Sequence, residues 1–289
     1  MTMVVNESGT KAIKILVSVD IEGVAGVVDW DDTLPGAPDY ATARRLMTNE
    51  ANAAIRGVLN HAPSAEVVVA DAHARLRNLL PDALDRRARL VRGLPRPDLM
   101  LTGIDDHVDA VLMVGYHGKA GAEGAVLAHT LNGAVIQDVR CDGRSLGEIG
   151  LNAAYAAVHG AAPVLVTGDD RAGAEARDVA PGIHAVAVKR ALGVWAAESM
   201  HPDEACERIE AAVPAALAAA SEVRPPRFEG PVDLELDLVH PAMAEALLRV
   251  PGVERRGGRG VRFDAPDFTT AYRLVELVAM LSPGLRGDR

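Results

Sequence analysis

The chain has 289 residues, of which 49% are hydrophobic and only 3% aromatic, and its formal net charge at pH 7 is -10. That length and composition can build one large globular domain or two moderate ones. The acidic balance argues against a nucleic-acid partner, because phosphates are bound by clustered Lys and Arg.

The first residues and the cysteines predict a cytoplasmic protein. Residues 1–12 are polar and lack the apolar core of about 7 to 15 residues that a signal peptide needs, so we predict a disordered lead. No later run approaches the roughly 18 apolar residues of a membrane helix. Cys141 and Cys206 have no CxxC spacing, which indicates neither a disulfide framework nor a thiolate metal site.

Strand and helix patterns alternate along the first two thirds of the chain. This alternation is typical of βαβ units and predicts an α/β fold with a mostly parallel sheet flanked by helices. Strands are predicted at 13–20, 66–70, 110–115, 134–139 and 164–167, and helices at 40–59, 147–158 and 202–220. Gly168-Asp169-Asp170 precedes an alanine-rich stretch and is interpreted as a helix N-cap.

The last part of the chain predicts a smaller unit. Residues 223–230 (VRPPRFEG) form a connection, and 231–239 alternate apolar and charged residues, as a half-buried strand does. A short helix, a glycine-rich turn with a strand, and a final helix at 268–281 would complete a C-terminal βαβα unit. We therefore divide the chain into the lead 1–12, a metal-binding catalytic domain at 13–222, and a smaller α/β unit at 223–289 that can pack in the same globule.

Three predicted strands end in side chains that bind metals. The first runs into Asp20 and Glu22, the second into Asp71 and His73, and the third into His117. Residues i and i+2 of a strand project the same way, and the carboxyl ends of parallel strands meet at one edge, where such folds bind ligands. A lone acid pair at a turn or a lone core histidine would be unremarkable, but the recurrence predicts a metal site.

Carboxylates and imidazoles without thiolates suit Zn²⁺, Mn²⁺ or Fe²⁺ at a catalytic site with an open position. More than four donors allow two ions, about 3.5 to 4 Å apart, which can hold a bridging hydroxide and polarise a carbonyl or phosphoryl oxygen.

Glu148 is a candidate further ligand, although a first-turn Glu favoured by the helix dipole is equally consistent with its position. His129 follows a Gly/Ala-rich segment at 118–125 and could act as a general acid or base.

Six short motifs resemble, in order and spacing, the DppA-type D-aminopeptidases of peptidase family M55. They are SVDIEG at 18–23, DAH at 71–73, GYH at 115–117, AH at 128–129, GEIGLNA at 147–153 and GDDR at 168–171. The resemblance extends from about residue 13 into the final helix. The lead before Ile13 is longer than the family pattern.

The resemblance implies a binuclear zinc aminopeptidase that removes an N-terminal D-amino acid, such as D-Ala, from short peptides or amides. It also implies a homo-oligomer in the form of a decameric ring. Carried over position by position, it makes His129 the catalytic histidine and Asp20 a bridging ligand. From its own position, two residues before His73, Asp71 is interpreted as a supporting residue that orients a ligand. The implied zinc ligands are Asp20, Glu22, His73, His117 and Glu148.

Two other functions remain open from the residues. A Mg²⁺-dependent haloacid-dehalogenase-like phosphatase would use Asp20, an acid two residues later and a later Gly-Asp-Asp. That assignment leaves the histidines without a role and has Glu22 where Asp is usual. A non-catalytic, metal-stabilised binding protein would have a fully coordinated metal and no hydrolysis.

Overall fold

The computed structural model of the chain describes residues 12–280, so all but the final residue of the predicted lead lies outside the described residues. The strands are β1 (Lys14–Val19), β2 (Glu66–Asp71), β3 (Arg89–Val91), β4 (Ala110–Tyr116), β5 (Ile136–Cys141), β6 (Arg144–Ser145), β7 (Ala162–Asp169), β8 (His184–Gly193), β9 (Ala196–Ser199), β10 (Val232–Leu238), β11 (Val253–Arg256) and β12 (Gly260–Ala265). The helices are α1 (Trp30–Thr33), α2 (Tyr40–His61), α3 (Glu148–Val158), α4 (Asp170–Val179), α5 (Pro202–Ala218), α6 (Pro241–Leu247) and α7 (Phe268–Met280).

The larger sheet has the strand order β3-β2-β1-β4-β7-β8-β9 and is parallel except for the last pair. Helix α2 packs against α5 and helix α3 against α4, and both pairs also contact the sheet. Every residue of β4 is buried, as expected for a central parallel strand covered on both faces. The predicted α/β class with a mostly parallel sheet is confirmed.

The chain order reverses between β1 and β4. From β1 the chain moves outward to β2 and β3, then returns to place β4 on the other side of β1. In open α/β sheets the crevice beyond the carboxyl ends of the strands at such a reversal is where ligands bind. The three predicted metal-binding strand ends, those of β1, β2 and β4, lie side by side at this edge.

Two glycines allow the β1 and β4 ends to approach each other. A Cβ atom on Gly23 would lie 1.9 Å from the carbonyl oxygen of Tyr116, and one on Gly115 would lie 2.3 Å from that of Asp20. Gly115 also has a φ of +71°, which side-chain-bearing residues rarely adopt. The Gly23 amide donates to the Gly115 carbonyl at 2.8 Å, so main chain contacts main chain where the ligands converge.

The second sheet has the order β11-β12-β10-β5-β6 and is antiparallel. The predicted strand at 134–139 exists as β5, but it pairs with β10 here and does not join the parallel sheet. The predicted C-terminal unit gains one strand, β11, and the glycine-rich turn at 257–260 connects β11 to β12 as a hairpin. Because this sheet combines strands from both sides of residue 222, the proposed division at 222/223 stays a prediction.

Helices α6 and α7 pack on the second sheet, and α7 also contacts α3. Along β10 the four leucine and valine side chains are buried and alternate with half-buried acids, as its sequence pattern predicts. Among residues 12–280, no helix is both long enough and apolar enough to cross a lipid bilayer.

A buried acid on α7 gives a prediction about stability. Burial, together with the nearby charge of Asp98, raises the pKa of Glu276 from 4.5 to about 8, and its Oε1 atom has no hydrogen-bond partner within the described residues. The unfolded chain releases this proton near pH 4.5 and the folded chain only near pH 8, so the folded state loses stability as pH rises between the two values. Glu276→Gln should therefore raise the free energy of unfolding at pH 8 by about 1 kcal/mol or more, and much less at pH 4.5.

Urea unfolding at the two pH values measures this difference. Glu254→Gln, which neutralises an exposed acid on β11, serves as the matched control and should show little pH-dependent change. A Glu276→Gln protein that is no more stable than the wild type at pH 8 would contradict the prediction.

Candidate metal centre

The structure brings all the sequence-predicted site residues to one buried pocket at the carboxyl edge of the parallel sheet. Asp20 and Glu22 follow β1, His73 follows β2 and His117 follows β4. The five candidate ligands are buried, with exposed fractions of 2% for Asp20, 1% for Glu22, 7% for His73, 2% for His117 and 3% for Glu148. Buried charges of this kind are found paired or coordinating metals.

Asp20 lies between the two candidate histidine ligands. Its Oδ1 atom is 3.4 Å from His73 Nδ1, and its Oδ2 atom is 3.5 Å from His117 Nε2. His73 Nδ1 is also 3.0 Å from Glu22 Oε1. One carboxylate thus faces both imidazoles, which is the arrangement that a ligand bridging two ions requires.

The other nitrogen of each histidine contacts a backbone carbonyl. His73 Nε2 lies 3.1 Å from the carbonyl oxygen of Thr33, and His117 Nδ1 lies 3.0 Å from that of Gly118. A carbonyl accepts hydrogen bonds only, so these nitrogens carry the protons, and in the neutral rings His73 Nδ1 and His117 Nε2 carry lone pairs that face carboxylates. Such second contacts are how proteins fix the orientation of metal-binding histidines.

Lone pairs aimed at carboxylate oxygens repel unless a cation lies between them. His117 Nε2 is buried and has no hydrogen-bond partner within the described residues. Buried polar atoms are rarely left in this condition in folded proteins. The donor set, carboxylate oxygens and imidazole nitrogens without sulfur, therefore fits a zinc-type ion, and Asp20, Glu22 and His117 form one of the groups compact enough to hold one.

The pKa values of these residues also indicate that positive charge stabilises the buried carboxylates. Burial, then the charge of Glu22, raises the pKa of Asp20 to about 7. Burial would lower the pKa values of His73 and His117, but the negative charges of Glu22 and Glu148 respectively outweigh it and raise both well above the usual range. Protons on these imidazoles supply positive charge that offsets the buried carboxylates, as a bound cation would.

Glu148 is the first residue of α3, and its carboxylate points into the pocket. Its Oε1 atom accepts the Leu131 amide at 2.6 Å and lies 3.3 Å from His117 Nε2. Burial would raise the pKa of Glu148, but the positive charge of His117 holds it below its usual range. Glu148 can therefore be both a first-turn residue of α3 and a candidate metal ligand.

His129 lies against the candidate ligands. Its ring stacks on His117 with a centroid distance of 4.1 Å and an interplanar angle of 10°, and its Nε2 atom is 3.8 Å from Glu148 Oε1. The Nδ1 atom donates to the carbonyl oxygen of Leu127 at 2.9 Å, which leaves Nε2 as the nitrogen directed at the site. Burial and the neighbouring charge of His117 lower the pKa of His129, which favours its neutral form.

Trp30, the first residue of α1, lies at the edge of His129. The two rings have a centroid distance of 5.4 Å and an interplanar angle of 71°. The sequence analysis did not single out Trp30, because an isolated tryptophan in a polar segment gives no spacing signal.

Asp71 has a different contact from the one expected. Its carboxylate accepts the main-chain amides of Asn78 at 2.5 Å and Leu79 at 2.7 Å, and the side-chain amide of Asn78 at 2.8 Å. That Asn78 amide in turn donates to the His73 carbonyl at 2.6 Å. Asp71 therefore holds the loop that carries His73 and does not touch its ring.

Asp169 confirms its interpretation as an N-cap. Its Oδ1 atom accepts the amide of Ala172 in the first turn of α4 at 2.7 Å, and its Oδ2 atom accepts the amide of Val126 at 2.8 Å. The second contact ties the segment that carries His129 to the end of β7. Both oxygens of this carboxylate are occupied by main-chain donors.

Three comparisons with known proteins identify relatives of this chain. The D-aminopeptidase family model Peptidase_M55 matches residues 13–277. A D-aminopeptidase of Bacillus subtilis (strain 168) is 31% identical over 271 residues, covering 93% of this chain and 98% of the relative. A solved structure of the Zn-dependent D-aminopeptidase DppA from Bacillus subtilis, a self-compartmentalizing protease, superposes with a TM-score of 0.89 at 30% identity, covering 93% of this chain and 99% of that one.

The match of the family model extends over nearly all of the described residues, and the similar chains are covered almost end to end. The resemblance noted from six short motifs is thereby confirmed, and aminopeptidase activity is supported for this chain. The chain belongs to the M55 family of D-aminopeptidases.

Proposed function

We propose that this protein is a binuclear zinc aminopeptidase that removes an N-terminal D-amino acid, such as D-Ala, from short peptides or amides. The observation that carries the proposal is the position of Asp20, whose two oxygens face one ring nitrogen on each of two buried histidines. The zinc dependence named for the similar DppA structure supports the choice of metal.

The residues divide into two overlapping ligand sets. Asp20, Glu22 and His73 would hold one ion, and Asp20, His117 and Glu148 would hold the other. When bound, the metal pair supplies a hydroxide from water at neutral pH and polarises the scissile carbonyl. Three carboxylates balance most of the charge that two divalent ions bring into the buried pocket.

His129 supplies the proton transfer in this proposal. Its Nε2 atom faces the pocket, and its lowered pKa keeps that nitrogen free to accept a proton and then donate it to the leaving amine. The stacked His117 ring and the Leu127 carbonyl fix its orientation. Trp30 packs edge-on against the His129 ring.

The structure gives the two alternative functions less support. In the phosphatase hypothesis, Asp169 would lie near Mg²⁺, but both of its oxygens accept main-chain amides. The same hypothesis gives no role to the histidines that converge with Asp20. A purely structural metal site would not need His129 beside the ligands with its Nε2 directed at them.

Assembly and location complete the proposal. The similar DppA structure is described as self-compartmentalizing, and we propose that this chain also forms a homo-oligomeric ring, a decamer by family resemblance. We propose a cytoplasmic location, because Cys141 and Cys206 are both free thiols and fit a reducing compartment.

Side-by-side assays of D-Ala and L-Ala amides, with zinc measured on the same sample, test this function. We expect about two zinc ions per chain and faster hydrolysis of the D-Ala amide. Faster hydrolysis of the L-Ala amide would refute the D-specificity and leave a metallo-aminopeptidase. Phosphatase activity with Mg²⁺ and no amide hydrolysis would refute the proposal altogether.

A further inference from the structure

A buried cation lies beside the site and takes no part in the proposed reaction. Lys189, on β8, is 2% exposed. Its Nζ atom donates to the carbonyl oxygens of Glu22 at 2.6 Å, Val24 at 2.9 Å and Val27 at 2.6 Å. A lysine ammonium has three donors, and all three are used here.

The three carbonyls belong to the segment at 20–29, called here the ligand loop, which joins β1 to α1 without regular secondary structure. The loop includes Glu22, whose carboxylate faces the candidate metal position. From another direction Glu50 of α2, a buried acid, accepts the amide of Ala25 at 2.8 Å. The loop therefore depends on side chains from distant elements for its conformation.

Packing alone does not require a cation at this position. Burial lowers the pKa of Lys189 to about 8, against the opposing effect of Asp169 and Glu50. Well-packed apolar residues often replace a whole buried ion pair without loss of stability, whereas removing one partner alone leaves the others unpaired and is destabilising. An ammonium is retained where three carbonyls of an irregular loop need a donor.

Lys189 also connects the two halves of the site. It is paired with Asp169 in the register of β7 and β8. Asp169 holds the segment that carries His129 through the Val126 amide, while Lys189 holds the ligand loop through its carbonyls. Two residues paired on adjacent strands, Asp169 and Lys189, thus fix the main chain on both sides of the pocket.

We propose that Lys189 is a positioning residue that sets the metal affinity of the site by anchoring the main chain of Glu22. The inference rests on the proposed zinc site. Without the ammonium, three loop carbonyls lose their donor, and the Glu22 carboxylate loses its fixed position relative to His73. Outer partners of metal ligands typically change metal affinity by about 10- to 100-fold when they are replaced.

The test uses the full chain with its metal removed, and measures zinc affinity by competition with a chromophoric chelator. Lys189→Met is expected to weaken zinc binding by about 10- to 100-fold. A higher zinc concentration should restore the rate at which Lys189→Met hydrolyses D-Ala amide. A defect in substrate binding would not be reversed by zinc. The matched control is Lys14→Met, which removes a lysine paired with Asp105 at 2.5 Å at the opposite end of β1 and should bind zinc like the wild type.

Wild-type zinc affinity in folded Lys189→Met would overturn the inference. So would an equal loss in Lys14→Met, because the effect would then be general destabilisation. If Lys189→Met does not fold, Lys189→Gln decides by the same criterion, since its amide is one bond shorter and has only two N–H donors for the three carbonyls. A wild-type chain that binds no zinc would overturn the proposed function and this inference with it.

Discussion

Replacing Asp20 by alanine is expected to remove both zinc ions and to lower the rate of D-Ala amide hydrolysis by at least about 10³-fold. Among the described residues, Asp20 is the one with a carboxylate within 3.5 Å of ring nitrogens on both His73 and His117. Metal ions at such sites stabilise transition-state charge by several kcal/mol, and each 1.36 kcal/mol corresponds to about a tenfold change in rate. Zinc content by atomic emission and the rate with added zinc measure the two effects.

The comparison with Glu148→Gln sharpens this prediction. Glu148 contacts His117 and not His73, so its loss should weaken one ion and leave the other bound. Glu276→Gln, which changes a buried acid on α7, is the matched control and should keep both ions. An Asp20→Ala protein that retains one tightly bound ion would show that Asp20 does not bridge.

The convergence of the candidate metal ligands could be predicted from the sequence because of the way parallel strands are built. Central strands of such sheets are continuous apolar runs, so the polar residue that ends each run is visible locally. Asp20, His73 and His117 follow β1, β2 and β4 in this way. Their convergence then follows from the sheet topology and needs no knowledge of side-chain contacts.

Lys189 also follows an apolar run, but its role could not be predicted from the sequence. It follows an apolar run at 185–188, but β8 is only partly buried and was not predicted as a strand. The pairing of β5 could not be predicted for a different reason, since its partner β10 lies about a hundred residues later and no local pattern records that pairing. Non-local pairing and partial burial are the two features that limited the prediction of the fold.

The orientation of the histidine rings could not be predicted from the sequence either. It is set by the main-chain carbonyls of Thr33, Gly118 and Leu127, and any residue type supplies a carbonyl. The structure therefore adds which ring nitrogen faces the pocket. A ring nitrogen that faces carboxylates favours a metal ligand over the hydrogen-bonded core histidine that the sequence alone left open for His117.

The second large effect is expected at His129, where alanine should lower kcat by about 10²- to 10⁴-fold with zinc content unchanged. Its Nε2 atom faces the pocket from a position 3.8 Å from Glu148, while its Nδ1 atom is held by Leu127. Loss of a general acid or base removes proton transfer and leaves the ligands of the metal in place. Steady-state kinetics on D-Ala amide, with zinc measured on the same protein, give both quantities.

The zinc measurement distinguishes two roles for His129, because His117, His129 and Glu148 are also close enough together to hold an ion. A variant that loses one zinc ion together with activity would make His129 a ligand. Unchanged turnover would remove it from the mechanism.

His159→Ala is the matched control, since His159 also lies edge-on to an aromatic ring, at 5.1 Å from Tyr155, but contacts Asp106 and no candidate ligand. Full zinc with lost turnover at His129 and normal turnover at His159 would place the proton transfer at Nε2 of His129.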